Sequence, residues 1–392
     1  MIGLDSLERN RVDTFTEIHT MKPDMLFNLG SITKQFTAVA ILQLMEAGKI
    51  SLQDTVQKYI SDFPSKSHKI TIEHLLTHTS GLKDYLQIDY KIPFLERRDF
   101  KPQELLEYFK SEALEFEPGT RYKYSNSGYF LLGYLIETVT GKTYENYLKE
   151  NIFNKLSLTN TYYDSPNTVL PNRTYGYKSK NEKADYWGAT IPYAAGGLIS
   201  STSDLLSWHN GLLAGKLIKK ETLTKAFTPY TLKNGIEVNY GYGWMINSSA
   251  ISHGGAITGY RTNEVYYPVQ GIYIAILANC DCAPIEELSV SISSTLMGRS
   301  LQMDLKQPEN VLDRYIGIYK LTSDPKRQIK IVKEKGVLIA YFSDNQSYPL
   351  VFQSDRKFEF KNILDAKCEF IDQNGTVGFT VHQNGVYNWQ KI

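Results

Sequence analysis

A serine and a lysine lie three residues apart at the start of the most apolar segment, in Ser31-Ile32-Thr33-Lys34. In a helix this spacing puts the Lys34 amine on the same face as the Ser31 hydroxyl, one turn along. Apolar surroundings lower the pKa of a lysine, which can then accept the proton of a serine nucleophile. Backbone amides at the helix N-terminus can stabilise an oxyanion. The tetrapeptide alone also fits a helix cap followed by a surface lysine.

A phenol and a carboxamide lie two residues apart in Tyr124-Ser125-Asn126, which follows a Glu-Pro-Gly turn. In an extended segment both side chains point to the same side. The phenol could then relay protons while the carboxamide binds a substrate amide. The chain contains 28 tyrosines, so this spacing alone carries little weight.

A third group is His253-Gly254-Gly255, followed by Ala256. Two glycines allow the backbone to approach a ligand closely, and the Ala256 amide could be a second oxyanion donor beside that of Ser31. Taken alone, His253 fits a histidine that caps a tight turn.

In this order, the three motifs resemble those of the serine β-lactamase and penicillin-binding-protein superfamily. The resemblance is to its class C-like branch, which includes D-aminopeptidases, D-alanyl-D-alanine carboxypeptidases and carboxylesterases. It extends over roughly residues 20–300 and includes the segments FNLGSITKQFTA (27–38), ITIEHLLTHTSGL (70–82) and AAGGLISSTSDLLSW (194–208).

The resemblance implies an acyl-enzyme serine hydrolase. Ser31 is then expected to be the nucleophile, and Lys34 and Tyr124 the proton-transfer pair, with Tyr124 returning the proton to the leaving group. Asn126 is expected to orient the substrate.

The resemblance also implies that His253, Gly254, Gly255 and Ala256 border the substrate, with His253 at the position of the lysine in the Lys-Thr-Gly form of the motif. An imidazole is neutral for part of the time near pH 7 and anchors a carboxylate less firmly than an ammonium ion does. We therefore expect a peptidase acting on short or D-amino-acid peptides, or a carboxylesterase. The alternatives are a β-lactamase or penicillin-binding D-alanyl-D-alanine carboxypeptidase and, in another class, a catalytically weak ligand-binding or sensory protein.

Other residues favour structural roles. His74 and His78 have the spacing of a metal pair on a helix, but no third ligand with suitable spacing follows. No metal and no cofactor are therefore expected. Tyr242, Trp244 and Tyr260 could line a pocket, although aromatic residues in strands are more often core residues.

The pattern predicts an α+β fold in which an antiparallel sheet is flanked by helices. A buried helix is expected over 31–47 and strands over 241–246, 263–267 and 271–279, followed by a helix from about Pro284 to Met297. Short alternating segments after a polar break indicate a small antiparallel β-barrel. We place the catalytic domain at residues 1–305 and the barrel domain at 306–392.

The first residues depart from the family pattern. Residues 2–11 resemble the end of the first strand pair of the sheet, so the N-terminal strands are expected to be shortened or replaced by another element at the sheet edge. No signal peptide is visible in this segment. Family members are often exported bacterial proteins, so the compartment stays open.

Composition limits the partners. The net charge of +1 disfavours a nucleic-acid binder, and the most apolar run is too short to span a membrane. With only three cysteines, neither a disulfide scaffold nor a structural metal is expected, because Cys280 and Cys282 are too close to join distant loops. A small-molecule or peptide substrate is expected, and a homo-oligomer is compatible with the sequence.

Overall fold

The computed structural model describes residues 21–88, 99–165, 170, 172–185, 187–188, 190–298, 305–343, 346–361, 363, 366–373, 376–383 and 385–392. The chain divides into two compact units, residues 1–285 and 286–392. The predicted boundary at residue 305 differs from this division because a helix that begins at Ile285 falls with the second unit.

The first unit combines helices with antiparallel sheets. Its helices are α1 (Thr33–Glu46), α2 (Ile72–Leu76), α3 (Pro102–Phe109), α4 (Asn126–Thr140), α5 (Tyr144–Leu148), α6 (Asn154–Leu156), α7 (Tyr193–Gly196), α8 (Thr202–Leu213) and α9 (Lys220–Ala226). Its strands are β1 (Phe27–Asn28), β2 (Tyr162–Tyr163), β3 (Tyr177–Ser179), β4 (Glu182–Lys183), β5 (Leu198–Ser200), β6 (Tyr230–Thr231), β7 (Glu237–Val238), β8 (Met245–Ile246), β9 (Ile251–Ile257), β10 (Tyr260–Tyr267) and β11 (Ile272–Ala278).

The predicted central helix is confirmed as α1, which is buried from Thr33 to Leu42. Phe36 stacks on Trp208 of α8 at 3.9 Å between ring centroids. The polar side chains of this helix find partners: the Thr37 hydroxyl, for example, donates to the Ala194 carbonyl at 2.7 Å. A helix buried on most faces gives a rigid base for residues at its first turn.

A four-stranded antiparallel sheet has the order β11-β10-β9-β8 and contains the strands expected over 263–267 and 271–279. Of the strand expected over 241–246, only Met245–Ile246 is a strand. The Thr262 hydroxyl of β10 donates to the Leu29 carbonyl at 2.7 Å and so ties this sheet to the segment before Ser31. Gly255 lies opposite Thr262, and a Cβ there would come within 2.0 Å of the Leu29 carbonyl oxygen. A side chain at position 255 would therefore push the sheet away from Ser31.

A buried carboxyl joins the sheet to the central helix. Glu264 of β10 is 4% exposed, accepts a hydrogen bond from Tyr273 OH at 2.8 Å and is also bonded to the Gln35 amide. The Trp208 indole donates to Gln35 Oε1 at 3.2 Å. Burial raises the pKa of Glu264 to about 7, with the two hydrogen bonds opposing the shift.

The second unit contains α10 (Ile285–Leu296, beginning at the boundary), α11 (Glu309–Tyr315) and a closed barrel. The barrel strands are β12 (Gly317–Leu321), β13 (Asp324–Glu334), β14 (Val337–Ser343), β15 (Gln346–Phe352), β16 (Lys357–Phe360), β17 (Lys367–Gln373), β18 (Thr376–His382) and β19 (Val386–Lys391). Phe370 stacks on Tyr315 of α11 and on Phe358 at centroid distances of 3.7 and 4.4 Å. The predicted antiparallel barrel is confirmed.

Cys280 and Cys282 form a disulfide bond, a pairing that the sequence analysis did not expect. It closes a ring within one turn and joins no distant segments. The expectation about residues 2–11 lies outside the described residues. No helix in the described part of the chain is long and apolar enough to cross a bilayer.

The raised pKa of Glu264 predicts a pH-dependent stability. Because the folded protein holds this proton up to about pH 7, its contribution is fully present below the pKa of an unfolded glutamate and is lost as the pH rises to about 7. Glu264→Gln should remove a fall on the order of 3 kcal/mol in the free energy of unfolding over that range. Urea denaturation between pH 4.5 and pH 8 measures it, with exposed Glu237→Gln as the control. Parallel curves for Glu264→Gln and wild type would contradict the assignment.

Candidate active site

Ser31 lies on a 3₁₀ turn, Gly30–Ile32, that leads into α1. Gly30 has a φ of +54°, and a Cβ there would lie 2.9 Å from the Ala256 nitrogen. The positive φ and the close approach of β9 both require glycine at position 30. The turn therefore presents Ser31 beside the backbone of Ala256.

The Lys34 amine is fully buried and donates three hydrogen bonds. Its acceptors are Ser31 Oγ at 3.1 Å, Asn126 Oδ1 at 2.9 Å and the Ala195 carbonyl at 2.7 Å. Burial lowers the pKa of Lys34 to about 7, and the Asp84 carboxylate partly opposes this shift. A substantial fraction of the amine is therefore neutral at neutral pH and within reach of the serine proton.

Asn126 is the first residue of α4, and both the oxygen and the nitrogen of its side-chain amide form hydrogen bonds. Its oxygen accepts from Lys34, and its nitrogen donates to Asp84 Oδ2 at 2.9 Å. Asp84 is 4% exposed and also accepts from the Leu86 amide at 3.0 Å. Sequence reasoning missed Asp84. Its one signal in the sequence is that of an acidic residue three positions after Gly81.

The Tyr124 ring centroid lies 4.8 Å from Lys34 Nζ, on the inner side of the site. Its hydroxyl is buried and forms no well-aligned hydrogen bond with the residues that the structure describes. Burial raises the pKa of Tyr124 well above its usual range, and the nearby Ser31 hydroxyl partly opposes the shift. The phenol therefore keeps its proton at neutral pH.

His253 is 1% exposed and is not among the residues that line the cavity in front of Ser31. Its Nδ1 donates to the Gly254 carbonyl at 2.6 Å, so its Nε2 accepts from the Tyr240 hydroxyl at 2.9 Å. Burial and then the charge of Lys34 lower the pKa of His253 to about 3. The imidazole is therefore neutral and turned into the protein, while Ala256 on the same strand lines the cavity.

A cavity of about 330 Å³ opens in front of Ser31. Apolar and aromatic side chains form much of its wall, and the backbone of α7 contributes one side. The residues around it are Gly30, Ser31, Tyr85, Leu86, Asn126, Trp187, Pro192, Ala195, Gly196, Ala256, Ile257, Thr258, Arg261 and Asp281. The volume suits a small amide or ester with one apolar side chain.

Arg261 and Asp281 are the charged side chains around the cavity, within the part of the chain that the structure describes. Their guanidinium and carboxylate groups approach to 2.6 Å. Because each compensates the other, this wall presents no uncompensated charge to a ligand.

Within the described residues, no cluster of three histidine, cysteine or acidic side chains could hold a metal ion. His74 Nδ1 accepts from the Thr71 amide at 3.2 Å in a helix cap. Tyr242, Trp244 and Tyr260 are core residues, 3%, 3% and 6% exposed.

The beta-lactamase family model matches residues 8–284, well over half of the chain. The chain belongs to the beta-lactamase family. Penicillin-binding protein 4* of Bacillus subtilis is 27% identical over 94% of this chain and 88% of the relative.

Solved structures agree with the family. The octameric penicillin-binding protein homologue of Pyrococcus abyssi has a TM-score of 0.63 and 25% identity, covering 94% of this chain and 89% of that one. A D-stereospecific amidohydrolase of Streptomyces has a TM-score of 0.61 and 28% identity, covering 71% and 88%. Together the family and these relatives support a serine hydrolase.

Within this beta-lactamase-family site, the structure joins Ser31, Lys34 and Asn126 by hydrogen bonds, and places Tyr124 against the lysine. Of the predicted site residues, Ser31, Asn126 and Ala256 border the cavity. His253, Gly254 and Gly255 stand behind this wall, where His253 is buried and Gly255 packs on Leu29. Sequence reasoning did not find the contributions of Asp84, the Ala195 carbonyl, Trp187 or Asp281.

The charge of Asp84 favours the protonated form of Lys34, so its removal should lower the pKa of Lys34 further below about 7. Asp84→Asn keeps an oxygen for the Asn126 amide and removes the charge. We expect the pH at which fluorophosphonate labelling of Ser31 is half-maximal to fall by roughly one pH unit or less. Mass spectrometry of the labelled peptide from pH 5 to pH 9 measures this.

Asp54→Asn is the matched control, because Asp54 also pairs with a lysine, Lys58, but on the surface. It should leave the labelling profile unchanged. An unchanged or higher half-point for Asp84→Asn would show that Lys34 is not the titrating group.

Proposed function

We propose that the protein cleaves an amide or ester bond through an acyl-Ser31 intermediate, as a peptidase or amidase for short or D-amino-acid substrates. The hydrogen bond of 3.1 Å between Ser31 and a buried Lys34 of lowered pKa carries this proposal. It pairs a nucleophile with a base whose pKa is close to neutral pH.

In the proposed acylation step, neutral Lys34 takes the Ser31 proton as Oγ attacks the substrate carbonyl carbon. The Ser31 and Ala256 amides stabilise the oxyanion that forms. When the tetrahedral intermediate collapses, the bond to the leaving amine or alkoxide breaks and Tyr124 donates a proton to it. The Lys34 ammonium returns a proton to Tyr124. Water then hydrolyses the acyl ester and restores Ser31.

The raised pKa of Tyr124 suits the role of proton donor, since its hydroxyl keeps a proton until a basic leaving group appears. Asn126 is held by Lys34 and Asp84, so its position is fixed before substrate binds. In this proposal it orients the substrate amide.

The charges around the cavity favour substrates without a free carboxylate. His253 is neutral and buried, and Arg261 is paired with Asp281. A penicillin-recognising carboxypeptidase or lactamase needs an exposed cation for its substrate carboxylate. The similarity to a D-stereospecific amidohydrolase also supports the amidase assignment.

Two further expectations remain proposals. A homo-oligomer is supported by the octameric state of the Pyrococcus abyssi relative. Carboxylesterase activity is supported by the cavity alone, because an ester would fit the same apolar wall.

Ser31→Ala should abolish turnover, because the nucleophile is lost and residual catalysis by the remaining groups is about 10³-fold or more lower. The measurements are hydrolysis of a D-alanine anilide and of a p-nitrophenyl ester, together with the mass of the fluorophosphonate adduct. A D-peptidase should prefer the anilide and an esterase the ester.

Ser207→Ala, on the exposed face of α8, is the control and should retain activity. Efficient trapping of a fluorescent penicillin on Ser31 would favour the lactamase or carboxypeptidase alternative. Ligand binding without any adduct or turnover in the wild-type protein would favour the binding protein.

The ion pair in the cavity predicts a change of selectivity. Arg261→Ala leaves the Asp281 carboxylate unpaired, so substrates with a free α-amine should gain relative to their N-acetylated forms. We expect the ratio of kcat/KM between the two to rise by about 10-fold, the effect of about one charge-assisted hydrogen bond. Arg121→Ala, an exposed arginine outside the cavity wall, should leave the ratio unchanged. A falling ratio would mean that Arg261 does not restrain Asp281.

A further inference from the structure

The backbone amides of the two residues next to Tyr124 in the chain are both hydrogen-bonded to one residue, His78. The Lys123 amide donates to the His78 carbonyl at 2.9 Å, and the Ser125 amide donates to His78 Nδ1 at 3.1 Å. His78 therefore positions the backbone on both sides of Tyr124. Its main-chain carbonyl holds the Lys123 side, and its imidazole holds the Ser125 side.

The His78 ring also lies against the Tyr124 ring. Their centroids are 4.1 Å apart with 31° between the ring planes. His78 is 1% exposed, and Tyr129 and Tyr240 pack around it at centroid distances of 5.1 and 4.6 Å. The imidazole thus fills the space behind the phenol, on a wall that cannot readily move.

The protonation state of His78 keeps one ring nitrogen available as a hydrogen-bond acceptor. Because Nδ1 accepts from Ser125, a neutral ring carries its proton on Nε2, which is buried and has no hydrogen-bond partner among the described residues. Burial, Lys34 and His253 all lower the pKa of His78. The ring therefore stays neutral, and Nδ1 remains available to the Ser125 amide.

The backbone of His78 is in the left-handed region, with a φ of +56°. Glycine or asparagine would occupy this conformation with less strain. Strain of this kind persists where the surrounding structure holds the residue in place. A histidine here points to a requirement for its side chain rather than for the turn.

We infer that His78 is a positioning residue that sets where the Tyr124 hydroxyl meets Ser31 and the leaving group. The inference rests on the proposed function, in which Tyr124 transfers the proton. Within the described part of the chain, His78 is not among the residues that line the cavity, and its closest ring contact is with Tyr124, so we assign its effect to the position of the phenol. A displacement of about 1 Å at the phenol would cost on the order of 10²-fold in rate.

The test compares His78→Gly and His78→Asn in the full chain. Glycine relieves the left-handed strain but removes the ring and its acceptor, whereas asparagine tolerates the backbone and offers an amide oxygen to Ser125. For His78→Gly we expect kcat to fall by about 10²-fold with KM within about 2-fold of wild type. His78→Asn should recover part of this loss. A merely structural role would lower the folded fraction without this split between kcat and KM.

A double-mutant cycle with Tyr124→Phe tests whether His78 acts through the phenol. In the Tyr124→Phe background, His78→Gly should lower the residual kcat by less than about 3-fold, because the group that it positions is gone. His74→Asn is the matched control: it perturbs a histidine of the same segment that bonds to Thr71 and should leave kcat unchanged.

A folded His78→Gly protein with kcat within 2-fold of wild type would overturn the inference, as would a full loss repeated in the Tyr124→Phe background. These outcomes differ from failure of the proposed function, in which the wild-type protein itself would form no adduct on Ser31. Circular dichroism and thermal unfolding of each variant establish the folded fraction used to normalise the rates.

Discussion

The Lys34 amine lies in the interior of the first unit, where an ammonium ion loses its hydration and three fixed oxygens only partly replace it. The free-energy cost of this lost hydration determines how the rest of the site is arranged. The Ala195 carbonyl, the Asn126 amide and the Ser31 hydroxyl must all stand within hydrogen-bond distance, so α7, α4 and the turn before α1 must converge on one atom. Their convergence in turn requires glycine at position 30, where β9 comes too close for a side chain. A base of near-neutral pKa is thus produced by packing rather than by any single neighbour.

The sequence predicts which residues contact Lys34 better than it predicts which residues hold those contacts in position. Ser31 and Lys34 lie three residues apart across the turn that leads into α1, so their spacing alone predicts their contact. Tyr124 and Asn126 lie about ninety residues away, and only the resemblance to a family brought them to the same site. Asp84 and Ala195 were missed because one acts through a carboxamide and the other through its main chain. Neither role leaves a pattern in residue types.

The fold was predictable where periodicity is strong. The buried helix, the strands of the sheet and the alternating segments of the barrel all depend on apolar spacing that survives in the sequence. The position of His253 was harder to predict. Side chains alternate along β9 between the cavity and the interior, so a shift of one residue in the register of the strand reverses which side chains face the cavity. In the structure His253 faces inward to Tyr240, and Ala256 faces the cavity. The disulfide between Cys280 and Cys282 has no periodic signal at all.

Three basic side chains, Lys34, His78 and His253, share one buried region, and the charge of Lys34 lowers the pKa of both histidines. Two protons there would place like charges together in a medium of low polarity, so these three side chains carry at most one positive charge near neutral pH. Lys34 has the highest pKa of the three and takes that charge. Burial first, and then the charge of Lys34, keeps both histidines neutral. Each can therefore accept a hydrogen bond from a neighbour, the Tyr240 hydroxyl for His253 and the Ser125 amide for His78. Titration of Lys34 near pH 7 consequently changes the charge of the site while these two hydrogen bonds are kept.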